Sequence, residues 1–208
     1  MRTDNNTTPN TITLTREQFR SLASLATLTS SNDVAAVLSV INVTITAGQL
    51  TAVATDRYRL GRVQFPVAAS DVTFKLEAKA LKSFMATAKK HAGDVTLLPD
   101  TDGVLVAAGG SQILIGDSSR GGTFPPVERL ITNWAEATTP GIPELGLDLG
   151  FLADIKNIYA PSDPWKIDTH RGLQFKFATG EHGKPCPVLI TDDYGTLDIL
   201  IQPKLKLR

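Results

Sequence analysis

The 208-residue sequence predicts an α+β protein with antiparallel sheets, built from three copies of one unit. Three observations predict it. A strand with period-two alternation opens each helix, and three or so strands follow it. The helix-opening strands begin near residues 12, 73 and 144, so the pattern repeats roughly every 60 to 70 residues. The strands are short and separated by Gly/Asp turns.

The first unit opens with TITLT. Thr15, ahead of Arg16-Glu17-Gln18, reads as a helix N-cap, with Gln18 placed to close a capping box. Phe19, Leu22 and Leu25 or Ala26 fall on one helical face. The strands AAVLSVINVTIT, LTAVAT and LGRVQFPV follow, with a turn at Ala47-Gly48. The second unit has the strand VTFKLE, the helix EAKALKSFMATAKKHAG ended by Gly93, and the strands DVTLLPD, GVLVAAG and SQILIGD. The third runs ELGLDL, then a helix LGFLADIKNIYA ended by Pro161, then WKIDTH, LQFKFA, PCPVLITDD and TLDILIQP. The helices should lie on one face of the sheets. TNWAEATTPGIP, rich in polar residues, Pro and Gly, reads as a linker. The expected division is a polar tail at 1–11, a domain at 12–131, a linker at 132–143 and a C-terminal half-domain at 144–208.

Charge is balanced, 21 basic against 21 acidic residues, so no global field draws the chain to nucleic acid or membrane. The single cysteine, Cys186, rules out an intrachain disulfide and fits a reducing, cytoplasmic setting. No apolar run approaches the roughly 20 residues of a spanning helix. Catalytic constellations are missing. His91, His170 and His182 are scattered, and the His182–Cys186 pair has no second pair to complete a tetrahedral metal site. There is no G-x-S-x-G, and Cys186 lies between two prolines without a recognisable base. The reading is therefore no enzyme, no cofactor and no metal.

Charge does segregate locally. In the second helix Leu81, Phe84, Met85 and Ala88 form a core-facing stripe, while Lys79, Lys82, Lys89 and Lys90 share another face. Such a face is either a solvated surface or one that tracks phosphates without reading bases. The first helix adds Arg16 and Arg20, four apart; the third offers only Lys156, opposed by Asp154.

The stretch TDRYRLG ends one strand and begins the next. It resembles the TD-x-x-RL segment in the middle domain of the bacterial DNA polymerase III β sliding clamp. GGTFPPVERLI resembles the family's G-x-[FY]-P-x-x-x-R-[VL] segment, and DILIQPKLKL its closing V-x-P-[MK]-x-L strand, all in the family's order. The resemblance covers residues 12 to 131 well and 143 to 208 more loosely. It implies a DNA-clamp fold, with antiparallel sheets outside and helices on one face. It also implies a hydrophobic pocket for a short linear peptide. Carried over, that pocket uses Leu38, Thr55, Tyr58, Arg59 and Leu60, then Pro125, Arg129 and Leu130, then Leu200, Gln202 and Pro203. Asp56 and the arginines would shape its loop. Gln202 and Lys204 depart from the family's apolar wall and imply a more polar subsite.

The function implied is a processivity factor in DNA replication that tethers a DNA polymerase, and other proteins with clamp-binding peptides, to duplex DNA. Arg16, Arg20, Lys79, Lys82, Lys89 and Lys90 would face the phosphate backbone without regard to sequence. A clamp loader is open as a further partner, and no membrane is involved. The alternative is a clamp-like module that does not encircle DNA and serves as a decoy or a transcription or replication regulator. The family's chains carry three domains of paired units, whereas this one has three units in all. That compactness suggests a bacteriophage or another mobile element, and a homo-oligomer, with a trimeric or tetrameric ring ahead of a plain dimer.

Overall fold

The structure is a computed structural model that describes residues 10–30, 33–88, 93–116, 122–136, 146–155, 158, 173–180, 185–192 and 197–204. The first unit comprises β1 (Ile12–Leu14), α1 (Arg16–Ser24), β2 (Val40–Thr46), β3 (Gln49–Thr55) and β4 (Arg59–Pro66). The second comprises β5 (Val72–Glu77), α2 (Ala78–Ala88), β6 (Val95–Asp100), β7 (Gly103–Ala108) and β8 (Ser111–Gly116). After them come α3 (Glu128–Glu136), α4 (Leu149–Asp154), β9 (Leu173–Lys176), β10 (Val188–Asp192) and β11 (Leu197–Ile201).

Local chemistry sets the start of α1. The Thr15 hydroxyl accepts from the Gln18 amide at 3.2 Å, and the Gln18 side chain accepts from the Thr15 amide at 2.9 Å, the reciprocal capping box. Phe19 and Leu22 are buried on its inner face, and a 3-10 turn over Leu25–Leu28 ends the helix against the sheet. The β2–β3 hairpin turns at Ala47 and Gly48, both with positive φ (50° and 75°), as a primed two-residue turn requires.

Among the described residues all strand pairs are antiparallel. One sheet has the order β1-β6-β7-β8 and the other β5-β2-β3-β4-β11-β10-β9. The first two units are therefore interlocked. Each lends its opening strand to the other's sheet: β1 pairs with β6, Ile12 opposite Leu97, and β5 pairs with β2, Val43 opposite Phe74. Their helices meet in the shared core, where the Phe19 and Phe84 rings lie edge-to-face, 6.1 Å apart at 84°. Burying each of these rings is worth about 1.5–3 kcal/mol. The third unit joins through β11, which lies alongside β4 with Leu200 opposite Leu60 and Asp198 opposite Arg62. Ile190, Ile199 and Ile201 extend the same core across that join.

Four differences from the sequence reading stand out. AAVLS is not strand: residues 33–38 form a 3-10 turn, closed where the Ser39 amide and hydroxyl both donate to the Ala36 carbonyl. The β2 strand begins only at Val40. The segment expected as linker opens as helix, since α3 crosses residue 131 and buries Ile131, next to the buried Val127 just ahead of it. ELGLDL contributes one bridge, Gly146 to Lys204, in place of a strand. Finally, α4 is described as a single short helix whose C-cap is Ile155. The expected helix end at Pro161 and the strand WKIDTH lie outside the described residues.

Candidate functional site

The β3–β4 loop is shaped almost wholly by Asp56 and Thr55. One Asp56 carboxylate oxygen accepts from the Tyr58 amide at 3.0 Å and the Arg59 amide at 2.8 Å. The other accepts from Arg59 Nε at 3.0 Å and Nη2 at 2.8 Å. The Thr55 hydroxyl donates to the Arg59 carbonyl at 2.7 Å and accepts from the Arg57 amide at 3.2 Å. Arg57 turns the chain with φ 81°. Asp56 is thus spent on structure, and the loop pushes Tyr58 outward, 60% exposed.

Arg59 faces the other way and is buried. Besides Asp56, its guanidinium donates to Asp154 of α4 and to the Thr27 carbonyl at 3.3 Å, and it lies 4.4 Å over the Phe151 ring. Two carboxylates and a ring face compensate the cation for lost water. Phe151 also stacks on Tyr58, centroids 6.3 Å apart. Gly61 permits this arrangement. A Cβ there would run into the Leu28 and Leu25 methyl groups, so the glycine lets the 3-10 turn rest on β4 without moving these leucines.

Above the β4–β11 join lies an open groove of about 210 Å³. The loop supplies Thr55, Arg57, Tyr58, Arg59 and Leu60; α3 supplies Leu130, Asn133 and Trp134. Cys186 and Pro187 line it from the approach to β10, and Leu200 and Gln202 from β11. A small separate core of Val53, Leu60, Val127, Ile131, Leu189 and Leu200 supports its floor. Trp134 is pinned by its indole N–H, which donates to the Pro187 carbonyl at 2.6 Å. Leu130 is left 54% exposed at the rim. An apolar floor with a polar rim can hold a peptide side chain.

Of the residues carried over from the resemblance, Thr55, Tyr58, Arg59, Leu60, Leu130, Leu200 and Gln202 line this one groove. Leu38, Arg129 and Pro203 are not among the lining residues: Leu38 and Pro203 are buried, and Arg129 points to solvent on α3. Pro125 lines a neighbouring depression of about 440 Å³ over the outer face of β2, β3 and β5. Sequence reasoning missed Arg57, Asn133, Trp134, Cys186 and Pro187. The spacing of Val127, Leu130, Ile131 and Trp134, period three to four, is the signal that could have found the helical wall.

Of the basic residues, Lys79 and Lys82 are exposed on α2, and Arg16 and Arg20 are half-buried on α1 beside it. Lys89 and Lys90 lie outside the described residues. At the start of α4, the Asp148 carboxyl is held below the usual carboxylate range. Its bond to the Lys204 ammonium (2.7 Å) is the main cause, and the Gly150 amide adds to it. No described group of His, Cys, Asp and Glu could hold a metal ion, and no described helix is long and apolar enough to cross a membrane.

This architecture, an interlocked pair of strand-helix units continued sideways by a shared sheet, is the fold of the DNA sliding clamps. The chain aligns with the DNA polymerase III β subunit of Thermotoga maritima over 94% of its length, with a TM-score of 0.72 and 12% identity. The Pseudomonas aeruginosa sliding clamp matches over 94% with a TM-score of 0.69 and 13% identity, covering 67% of that chain. For the β subunit from DNA polymerase of Streptococcus pyogenes the figures are 98%, 0.63 and 14%, covering 68%. The chain spans only 65% of the Thermotoga clamp. No protein-family model and no curated protein sequence matches it.

Proposed function

We propose that this chain is a non-catalytic, cytoplasmic processivity factor that tethers a DNA polymerase and other peptide-bearing partners to duplex DNA. The observation that carries the proposal is the groove. The TDRYRL loop, the segment after GGTFPP and the C-terminal strand are far apart in sequence, yet they meet around one apolar floor. The exposed tip residues Tyr58 and Leu130 stand ready as anchors for a short apolar peptide. The exposed lysines of α2 would contact phosphates through a weak, sequence-independent field that permits sliding.

A second reading is favoured by one observation. The chain spans 65% of the Thermotoga clamp, so a module that binds the peptide without encircling DNA, a decoy or regulator, is the rival.

The test is titration of a labelled QLxLF-type peptide against wild type, Tyr58→Ala and Leu130→Ala. Both side chains are exposed, so the fold is expected to survive. Each variant should weaken binding by about 1–3 kcal/mol, the range for losing an interface anchor. Equal affinities across the set would sink the proposal. Retention of the protein on circular but not linearised DNA separates encirclement from the rival.

A further inference from the structure

We infer that Arg57 selects the partner peptide by charge: the groove takes an apolar anchor flanked by a carboxylate, and Arg57 pairs with that carboxylate. The inference rests on the proposed peptide groove and adds the chemistry of its ligand. Charge around the groove is one-sided. Arg57 and Arg59 both line it, and among the described lining residues there is no carboxylate. The two arginines are in opposite situations. Arg59 is buried, and Asp56 and Asp154 both bind its guanidinium. Arg57 is exposed, and among the described residues its guanidinium has neither an ion pair nor a hydrogen bond. Its backbone amide alone is held, by the Thr55 hydroxyl at 3.2 Å. Asp56, the adjacent acid, is not free to serve it. One of its oxygens accepts from the Tyr58 and Arg59 amides, the other from Arg59 Nε and Nη2. The loop thus neutralises Arg59 and leaves the charge of Arg57 uncompensated at the rim.

The backbone adds an independent observation. Arg57 has φ 81°, in the left-handed region where a Cβ is disfavoured and Gly or Asn is the usual occupant. Strain of this kind persists at ligand clamps, where one side chain is needed at one point. The other polar rim residues do not discriminate charge. Asn133 and Gln202 are exposed, neutral amides that can bond to a peptide backbone of any sequence. The floor of Leu60 and Leu200, beside Trp134, takes the apolar anchor. An arginine fork receives a carboxylate through two parallel N–H bonds, and beside an apolar surface their attraction is screened less than in open water. A lysine in the same place on the peptide would meet a like charge with no carboxylate nearby to relieve it. The groove therefore sorts its ligands by sign as well as by shape, and Arg57 is the specificity-determining residue.

The experiment walks one Asp, and in a second series one Lys, through the positions of a labelled QLxLF-type peptide outside its apolar anchors. Each peptide is titrated against wild type, Arg57→Glu and Arg57→Gly. Glycine suits the positive φ, so that variant keeps the loop. At the favoured position wild type should bind the Asp peptide about five-fold more tightly than the Lys peptide, the upper range for an exposed ion pair. The preference should vanish in Arg57→Gly, invert in Arg57→Glu and shrink with added salt. Cys186, the one cysteine of the chain, lines the same groove, so its alkylation reports occupancy independently, and bound peptide should slow it. Equal affinity for Asp and Lys at every position, or a preference that persists in Arg57→Gly, overturns the inference and leaves the groove reading in place. Peptides that neither bind nor slow the alkylation overturn both.

Discussion

Arg62 and Asp198 face each other directly across the β4–β11 ladder and form an ion pair, both largely shielded from solvent. The pair fastens β4 of the first unit to β11 of the third, two residues along the ladder from the Leu60–Leu200 pair of the groove floor. Arg62 Nε is also buried without a hydrogen-bond partner, and among the described residues Asp198 is the carboxylate that balances the guanidinium charge. Asp198→Ala should lower stability by about 3 kcal/mol, because it strands a shielded cation. Replacing both residues with Leu and Met should be close to neutral. Urea unfolding of the single and double variants checks the difference; equal loss in both would mean that packing, not charge, carries the effect.

Gly61→Ala tests the close approach of the 3-10 turn to β4. The added methyl meets Leu28 and Leu25 in a full core, so either they move or the turn lifts. Overpacking of this kind costs about 1–3 kcal/mol. A melting temperature equal to that of wild type would show that the leucines yield freely.

The lysine face predicts salt-dependent DNA binding. Changing Lys79, Lys82 and Lys89 together to Glu should reduce association with duplex DNA and flatten its salt dependence, because fewer counterions are released. Peptide affinity should not change. A salt slope equal to that of wild type would place the DNA face elsewhere.

Asp148 predicts a pH dependence. Its carboxyl titrates lower in the folded chain than when unfolded, first because of the Lys204 bond and then the Gly150 amide. The unfolded chain therefore binds the proton more readily. The contribution is complete above the ordinary carboxylate range near pH 4, and is lost as pH falls through the lowered folded value. Acidification from pH 5 to 3 should loosen the α4 cap, and Asp148→Asn should remove this part of the acid sensitivity. Chemical unfolding at the two pH values measures it; an unchanged acid response in Asp148→Asn would assign the effect to other carboxylates.

How much of this was readable beforehand depends on the range of the forces. The Thr15–Gln18 capping box and the Ala47-Gly48 turn are decided within four residues, and both are where the sequence places them. The alternating strands were legible for the same reason. α3 was hidden because polar and proline residues in TNWAEATTPGIP outweighed the Val127, Ile131, Trp134 spacing, and only the floor of Leu60, Leu189 and Leu200 makes that spacing matter. The groove was legible where the motif itself forms the wall, as with Tyr58 and Leu60. It was not legible where facing decides: Gln202 is exposed and Pro203, next to it, is buried. Which of two neighbours looks into a groove is fixed by the register against β4, a long-range fact.

Phe151 stacks on the groove residue Tyr58 and lies beneath Arg59, so α4 stands directly behind one wall of the groove. A ligand that moves Tyr58 therefore presses on α4, and any repositioning of α4 reaches Tyr58 in return. Such coupling is reciprocal by thermodynamic necessity: whatever the ordering of α4 adds to peptide affinity, peptide adds to the ordering of α4. Amide exchange across α4 with and without peptide would read that factor, and Phe151→Ala should bring it toward one. The small helix would then act as a gauge of whether the groove is filled.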